Sequence, residues 1–234
     1  MANFFNQKTK FLFSPKRLFK GLASLLAILV FATFSACQKE LDYFQYVSEL
    51  RDNIFLAETE ELSLRIYSVA KEQPYAPDGV PQTTNRRIEA YLIAPEGDET
   101  CRLSFTVDGR EYGGEMSFDN VKTEYYYACA LDVSALSAIP CRIEYGEKVF
   151  ELTANSVRTA DTLTPKNVLK NLKETETELF SSLTDKYGFA GEIYLRLIYE
   201  DSPYYYVGVI DRTGKVHAFL INAVTGKILA KRTS

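Results

Sequence analysis

Tryptophan is absent from this sequence, histidine occurs once and methionine twice. One histidine excludes metal sites built from several imidazoles and leaves His217 as the sole imidazole base for a Ser or Cys nucleophile. Strand alternation groups His217 with Lys215 and Phe219, opposite Val216, Ala218 and Leu220, which predicts an exposed strand residue. Gly-rich phosphate loops, HExxH and calcium-loop spacings are missing, as is any CxxC pair. Gly113-Gly114 suits a turn or bulge, not a nucleotide site. Two acidic clusters remain, Glu58, Glu60, Glu61 and Glu174, Glu176, Glu178. Carboxylates four apart on a helix repel, and solvated surface accounts for both sets. The chain is therefore expected to be no enzyme and to carry no cofactor or metal.

Acidic residues are also missing from the first 36 positions, where Lys8, Lys10, Lys16, Arg17 and Lys20 supply the only charges. From Gly21 to Ala36 the run GLASLLAILVFATFSA is uncharged and largely apolar. A cationic start, a short apolar core and small residues before a cut site make a secretory leader over residues 1–36. As a helix rising about 1.5 Å per residue, this run is short for a bilayer core of roughly 30 Å; a retained anchor helix and an ordinary signal peptide are the alternatives. Phe34-Ser35-Ala36-Cys37 resembles the lipobox of bacterial lipoproteins, with Phe34 where the family usually has Leu. The resemblance implies a diacylglycerol on the Cys37 thiol and cleavage before it. The expected address is extracytoplasmic, lipid-anchored to the cell membrane through Cys37, since two acyl chains suffice for stable anchoring.

Without the leader 198 residues remain, and loss of its five cations leaves 22 basic against 31 acidic residues, a net charge of −9. Such a surface argues against nucleic acid as partner. Sixteen tyrosines and fifteen phenylalanines favour strands over helices. Three cysteines remain, Cys101, Cys129 and Cys141, each on the apolar side of an alternating run (CRLSFTV, YYYACALDV, IPCRIEY). Buried free thiols are the simplest reading; one disulfide with a spare thiol is the other.

Residues 37–57 are expected to form a tether, with a mixed apolar pattern that suits a short helix. Residues 58–158 alternate in strand fashion. Leu62, Leu64, Ile66 and Ser68 share one face against Ser63, Arg65 and Tyr67, and Ile88, Ala90 and Leu92 alternate with Glu89 and Tyr91. Residues 72–85 carry three prolines and Asp78-Gly79, a loop signal. Asp108-Gly109 and Gly146-Glu147 mark hairpin turns. About seven short strands within roughly 100 residues predict an immunoglobulin-like β-sandwich.

Near Arg158 the composition shifts. Thr162 and Thr164 are candidate N-caps before Pro165. Val168, Leu169, Leu172, Leu179, Phe180 and Leu183 recur at helical spacing up to Gly188. Three strands follow, closing on YYYVGVIDRTGKVHAFLINAVTGKIL. Helix and meander, with Asn222-Ala223-Val224-Thr225-Gly226-Lys227-Ile228-Leu229 standing where the family has D-A-x-T-G-x-V-L, resemble the PepSY family over residues 162–234. The resemblance implies a non-catalytic module for binding or inhibiting outside the cytoplasm. The fold class expected is thus mainly β with α+β: a sandwich, then a PepSY-like helix and three-stranded antiparallel sheet.

Tyr125-Tyr126-Tyr127 and Tyr204-Tyr205-Tyr206 each put rings on both faces of a strand. Tyr125, Tyr126, Tyr204, Tyr205 and Tyr206 are the candidate binding surface, because tyrosine offers large area, little entropy loss and a polar tip. The expected function is a surface-tethered, non-catalytic binding module of the cell envelope, its partner an envelope protein, peptide or glycan. A propeptide-like inhibitor or chaperone of an exported peptidase is the alternative.

Overall fold

The computed structural model describes residues 41–72, 82–95 and 99–234. The expected leader, Cys37 and most of the proline-rich segment lie outside the described residues. Asp42–Ser234 forms one compact unit. It opens with a 3-10 turn, Tyr43–Tyr46, and continues into β1 (Val47–Glu58), β2 (Ser63–Glu72), β3 (Thr84–Ile93), β4 (Cys101–Val107), β5 (Arg110–Glu115), β6 (Ser117–Asp119), β7 (Glu124–Cys129), β8 (Ala138–Tyr145) and β9 (Lys148–Ser156). Helices α1 (Pro165–Thr175) and α2 (Thr177–Ser182) and a short hairpin, β10 (Thr184–Asp185) and β11 (Gly188–Phe189), lead to the meander. That meander is β12 (Gly191–Tyr199), β13 (Pro203–Asp211), β14 (Val216–Asn222) and β15 (Ile228–Thr233).

The chain is mainly β, as its aromatic and β-branched content predicts, but the strands of the first half do not stack as two sheets. One antiparallel sheet runs β5-β4-β8-β9-β1-β2-β3-β7-β6 and curls until its ends meet. Those ends are consecutive in sequence: β5 pairs with β4, β6 pairs with β7, and only Met116 separates them. Alternation alone could not distinguish this near-barrel from a sandwich, since both bury every second residue.

The interior is filled by the residues that alternation put together. Cys101, Leu103, Phe105 and Val107 of β4 meet Ile139, Cys141, Ile143 and Tyr145 of β8 and Leu64, Ile66, Ile88 and Leu92 of β2 and β3. Full burial of each aliphatic side chain contributes about 1.5–3 kcal/mol. Cys101 and Cys141 are buried and Cys129 is half-buried, all three as free thiols. Burial pushes the Cys141 thiol up to about 12 and that of Cys101 to about 11. The Asp108-Gly109 turn joins β4 to β5 with both residues at positive φ, 50° and 74°, the two-residue hairpin geometry that this dipeptide favours.

The segment expected to tether the fold instead supplies its central strand. Val47, Leu50, Ile54 and Phe55 of β1 are all buried. Pairing with β2 shifts by one residue between Arg51 and Asn53, so alternation breaks in mid-strand and imitates a helical pattern. At this bulge the other edge of β1 forks. Residues up to Arg51 pair in parallel with β12, while Phe55 and Leu56 pair antiparallel with β9. Asn53 fills the fork: its amide donates to Ser134 O and Leu136 O, and its Oδ1 accepts from Ser156 Oγ at 2.7 Å.

Beyond the fork the sheet continues as β12-β13-β14-β15. The helix is capped by Thr164, whose Oγ1 accepts from Asn167 N, with Pro165 in its first turn. Thr162 instead serves the preceding turn, accepting from Thr159 N. The helix does not run on to Gly188. Thr175 and Thr177 donate their hydroxyls to carbonyls three and four residues back, a competition that bends helices, and the axis breaks at Glu176. Phe180 is thereby turned against Tyr43 and Phe189. Between β14 and β15 the Thr225-Gly226 turn is held by Asn222 Oδ1, which accepts from Val224 N and Thr225 N. Gly226, at φ 71°, packs so closely on α1 that a Cβ there would stand 2.7 Å from Asn171 Nδ2.

Candidate functional site on the open face of the sheet

The nine-strand path from β15 to β6 has two faces. One carries the barrel interior and, beyond the fork, the residues beneath the helices: Ile193, Leu195, Leu197, Tyr205, Val207 and Val209, all buried. Register fixes what stands on the other. Arg51 lies beside Arg196 in β12, Tyr67 opposite Glu89, Tyr91 opposite Tyr126, and Arg196 opposite Tyr206. Tyrosines 67, 91, 126, 194, 204 and 206 therefore share one surface, each partly exposed.

Within it the rings form a row. Tyr67 and Tyr91 have centroids 5.4 Å apart and Tyr91 and Tyr126 5.2 Å apart, tilted by about half a right angle. Cross-strand neighbours on adjacent strands fall at this distance by sheet geometry. The Arg51 guanidinium extends the row, lying 4.0 Å from the Tyr67 centroid. Its Nε is buried without a protein hydrogen bond. Beyond the fork Arg196 lies 5.0 Å from the Tyr194 ring and 6.0 Å from that of Tyr206. A bidentate pair with Glu49, at 2.9 and 2.5 Å, holds it there.

The carboxylates of this face are spoken for. Glu89 is buried and receives Lys71 Nζ at 2.8 Å, Arg87 at 3.7 Å and the Tyr91 hydroxyl at 3.3 Å. Glu124 pairs with Arg65 at 3.1 Å and Lys122 at 3.8 Å. Arg87 Nη2 donates to the Tyr126 hydroxyl at 3.1 Å. Burial first, then the Glu89 charge, pushes the Tyr91 and Tyr126 hydroxyls above their ordinary range, so both stay neutral phenols. Past Tyr126 the face opens into a groove of about 610 Å³ under the β6–β7 turn, where Lys122, Glu124, Asp119 and Asn120 line one wall.

Of the five tyrosines expected at a surface, Tyr126, Tyr204 and Tyr206 lie on this face. Tyr125 and Tyr205 do not: they are 3% and 0% exposed, with hydroxyls donating to Glu99 O and Leu163 O. Consecutive strand residues point to opposite faces, so one triplet cannot present three rings to one ligand. Sequence reasoning missed Arg51, Tyr67, Tyr91, Tyr194 and Arg196. The signal was present in the alternation of SLRIYSV and RIEAYLI, but which strands adjoin was not. His217 also departs from expectation. Opposite Val209, it lies on the helix-covered side and is half-buried, with Nε2 3.6 Å from Asp211 Oδ2. Among the described residues no three His, Cys, Asp or Glu side chains converge as for a metal ion.

A half-covered sheet with an aromatic, cation-rich open face defines the site by its surface chemistry. Comparison with protein-family models, curated proteins and solved structures finds no match to this chain.

Proposed function

We propose that this protein is an envelope lipoprotein, tethered through Cys37, that binds its ligand on the open face of the sheet without catalysing a reaction. The observation that carries the reading is two clusters of half-exposed Tyr and Arg side chains, Arg51–Tyr67–Tyr91–Tyr126 and Tyr194–Arg196–Tyr206, on the face that the other described residues leave open. Solvent normally reaches charged, alternating side chains on such a face. A row of rings already packed on one another loses little conformational freedom when a ligand arrives. The leader and Phe34-Ser35-Ala36-Cys37 support the address, and the mature charge of −9 calls for a covalent rather than an electrostatic hold on anionic lipid.

Hydroxyl-radical footprinting tests the binding reading: envelope extract should protect Tyr91, Tyr126 and Tyr206 from oxidation, and equal labelling with and without extract would sink it. For the anchor, Cys37→Ala should abolish incorporation of labelled fatty acid in cells; normal labelling of that variant refutes lipidation.

A second reading has its own support. A helix followed by an antiparallel meander, with Asn222 clasping the Thr225-Gly226 turn against α1, has the order of elements of a PepSY module. On that reading the C-terminal half inhibits or chaperones an exported peptidase, and co-expression should change the activity of one.

A further inference from the structure

We infer that the stretch of the open face running Arg51–Tyr67–Tyr91–Tyr126 binds an acidic saccharide chain laid across the strands, an inference that rests on the binding reading above and names its ligand class. Charge gives the first reason. Three cations touch the tyrosine row: Arg51 over Tyr67, Lys122 with Nζ 5.8 Å from the Tyr91 centroid, and Arg87 on the Tyr126 hydroxyl. The carboxylates beside it, Glu89 and Glu124, are both buried, and four cations, Lys71, Arg87, Arg65 and Lys122, are paired with the two of them. Arg51 has no carboxylate partner among the described residues, and its guanidinium carbon already lies 4.0 Å from the centre of the Tyr67 ring. On a chain otherwise rich in acidic residues, this row is complementary to an anion.

The second reason is what the row can offer. The Tyr91 and Tyr126 hydroxyls are tied to Glu89 and Arg87, which leaves ring surfaces and guanidinium edges to meet a ligand. Sugar rings have apolar C–H faces that lie on aromatic rings, and uronates add a carboxylate that a guanidinium clasps. The cross-strand ring spacing is comparable to one pyranose unit of an extended chain. The groove past Tyr126, with Asn120, Asp119 and Glu124, provides donors and acceptors for hydroxyls.

A peptide fits less well. Extended peptides gain affinity by pairing with an open strand edge, whereas β1, β2 and β3 are hydrogen-bonded on both sides beneath the row. Main-chain groups there are already taken, and only side chains remain to be bound.

The test is calorimetric titration of the full-length chain in detergent with oligogalacturonate, with its fully methyl-esterified form, and with poly-L-glutamate. Oligogalacturonate should bind, and esterification should weaken binding about tenfold or more, as loss of a clasped charge implies. Arg51→Gln and the exposed Lys122→Ala should each weaken it several-fold with unchanged circular dichroism, while Arg142→Ala on the far side of the barrel should leave it unaltered. No binding of oligogalacturonate, equal binding of the ester, or equal binding of poly-L-glutamate overturns the inference. Binding of poly-L-glutamate alone would do so while sparing the binding reading, whereas unprotected tyrosines in the footprint defeat that reading itself.

Discussion

Two tyrosine triplets, Tyr125-Tyr126-Tyr127 in β7 and Tyr204-Tyr205-Tyr206 in β13, are the same three letters placed on one sheet in opposite phase. In β7 the outer two rings turn to the barrel side and Tyr126 faces solvent; in β13 Tyr205 alone is buried and its neighbours face out. The phase is set by what each strand pairs with. Tyr125 follows Leu92 of β3 into the barrel core, whereas Tyr205 follows Leu197 of β12 beneath the helices. Identical side chains thus stand in opposite surroundings: the buried rings pack in the fold and the half-exposed rings lie on the proposed binding face.

The sharpest way to break this comparison is to remove one ring from each side of β13. Tyr205→Ala should cost about 3–5 kcal/mol, the usual penalty for emptying a buried aromatic site. Urea denaturation reads it directly, and a loss below 1 kcal/mol would show that the ring is not a core element.

Titration draws the same contrast. Cys141, Cys101 and Tyr205 are held neutral by burial, with values pushed up to about 12, 11 and 12. A raised value means that the unfolded chain gives up its proton first. The stability tied to each thiol is therefore fully present below its ordinary value of 9.0 and is lost as pH rises towards the folded value. Stability should fall on the order of 2 kcal/mol per buried thiol by pH 10.5. Cys141→Ala should flatten the alkaline limb of the curve; an unchanged limb would place the thiol in water.

Smaller still is removal of the hydroxyls alone. Tyr125→Phe and Tyr205→Phe each leave a loop carbonyl, Glu99 O or Leu163 O, without its donor, which should cost about 1 kcal/mol. The least effect belongs to the open face. Tyr126→Thr and Tyr206→Thr keep strand propensity and should shift stability by under about 0.5 kcal/mol. A larger loss would make these rings structural and take away the distinction.

Much of the barrel was legible from the letters. Alternation in CRLSFTV and IPCRIEY gave the residues of the interior, Asp108-Gly109 gave a hairpin, and Thr164-Pro165 gave the helix start. The errors have local causes. The bulge at Asp52 disguised β1 as a mixed pattern, and threonine hydroxyls at 175 and 177 cut short a helix that apolar spacing extended to Gly188. The parity of His217 was right, but the side of the sheet was not.

The sequence by itself determined which side chains share a face, because period two is fixed by the pleat of a strand. The proposed leader and the proposed lipid-bearing Cys37 are likewise readings of sequence alone. Only the tertiary structure decided that one sheet curls on itself instead of stacking as two, which face is covered, and that Arg51, Tyr67, Tyr91 and Tyr126 adjoin. Strand order and register are long-range: they depend on pairings between residues far apart in the chain, such as Arg51 with Arg196, which no local pattern encodes.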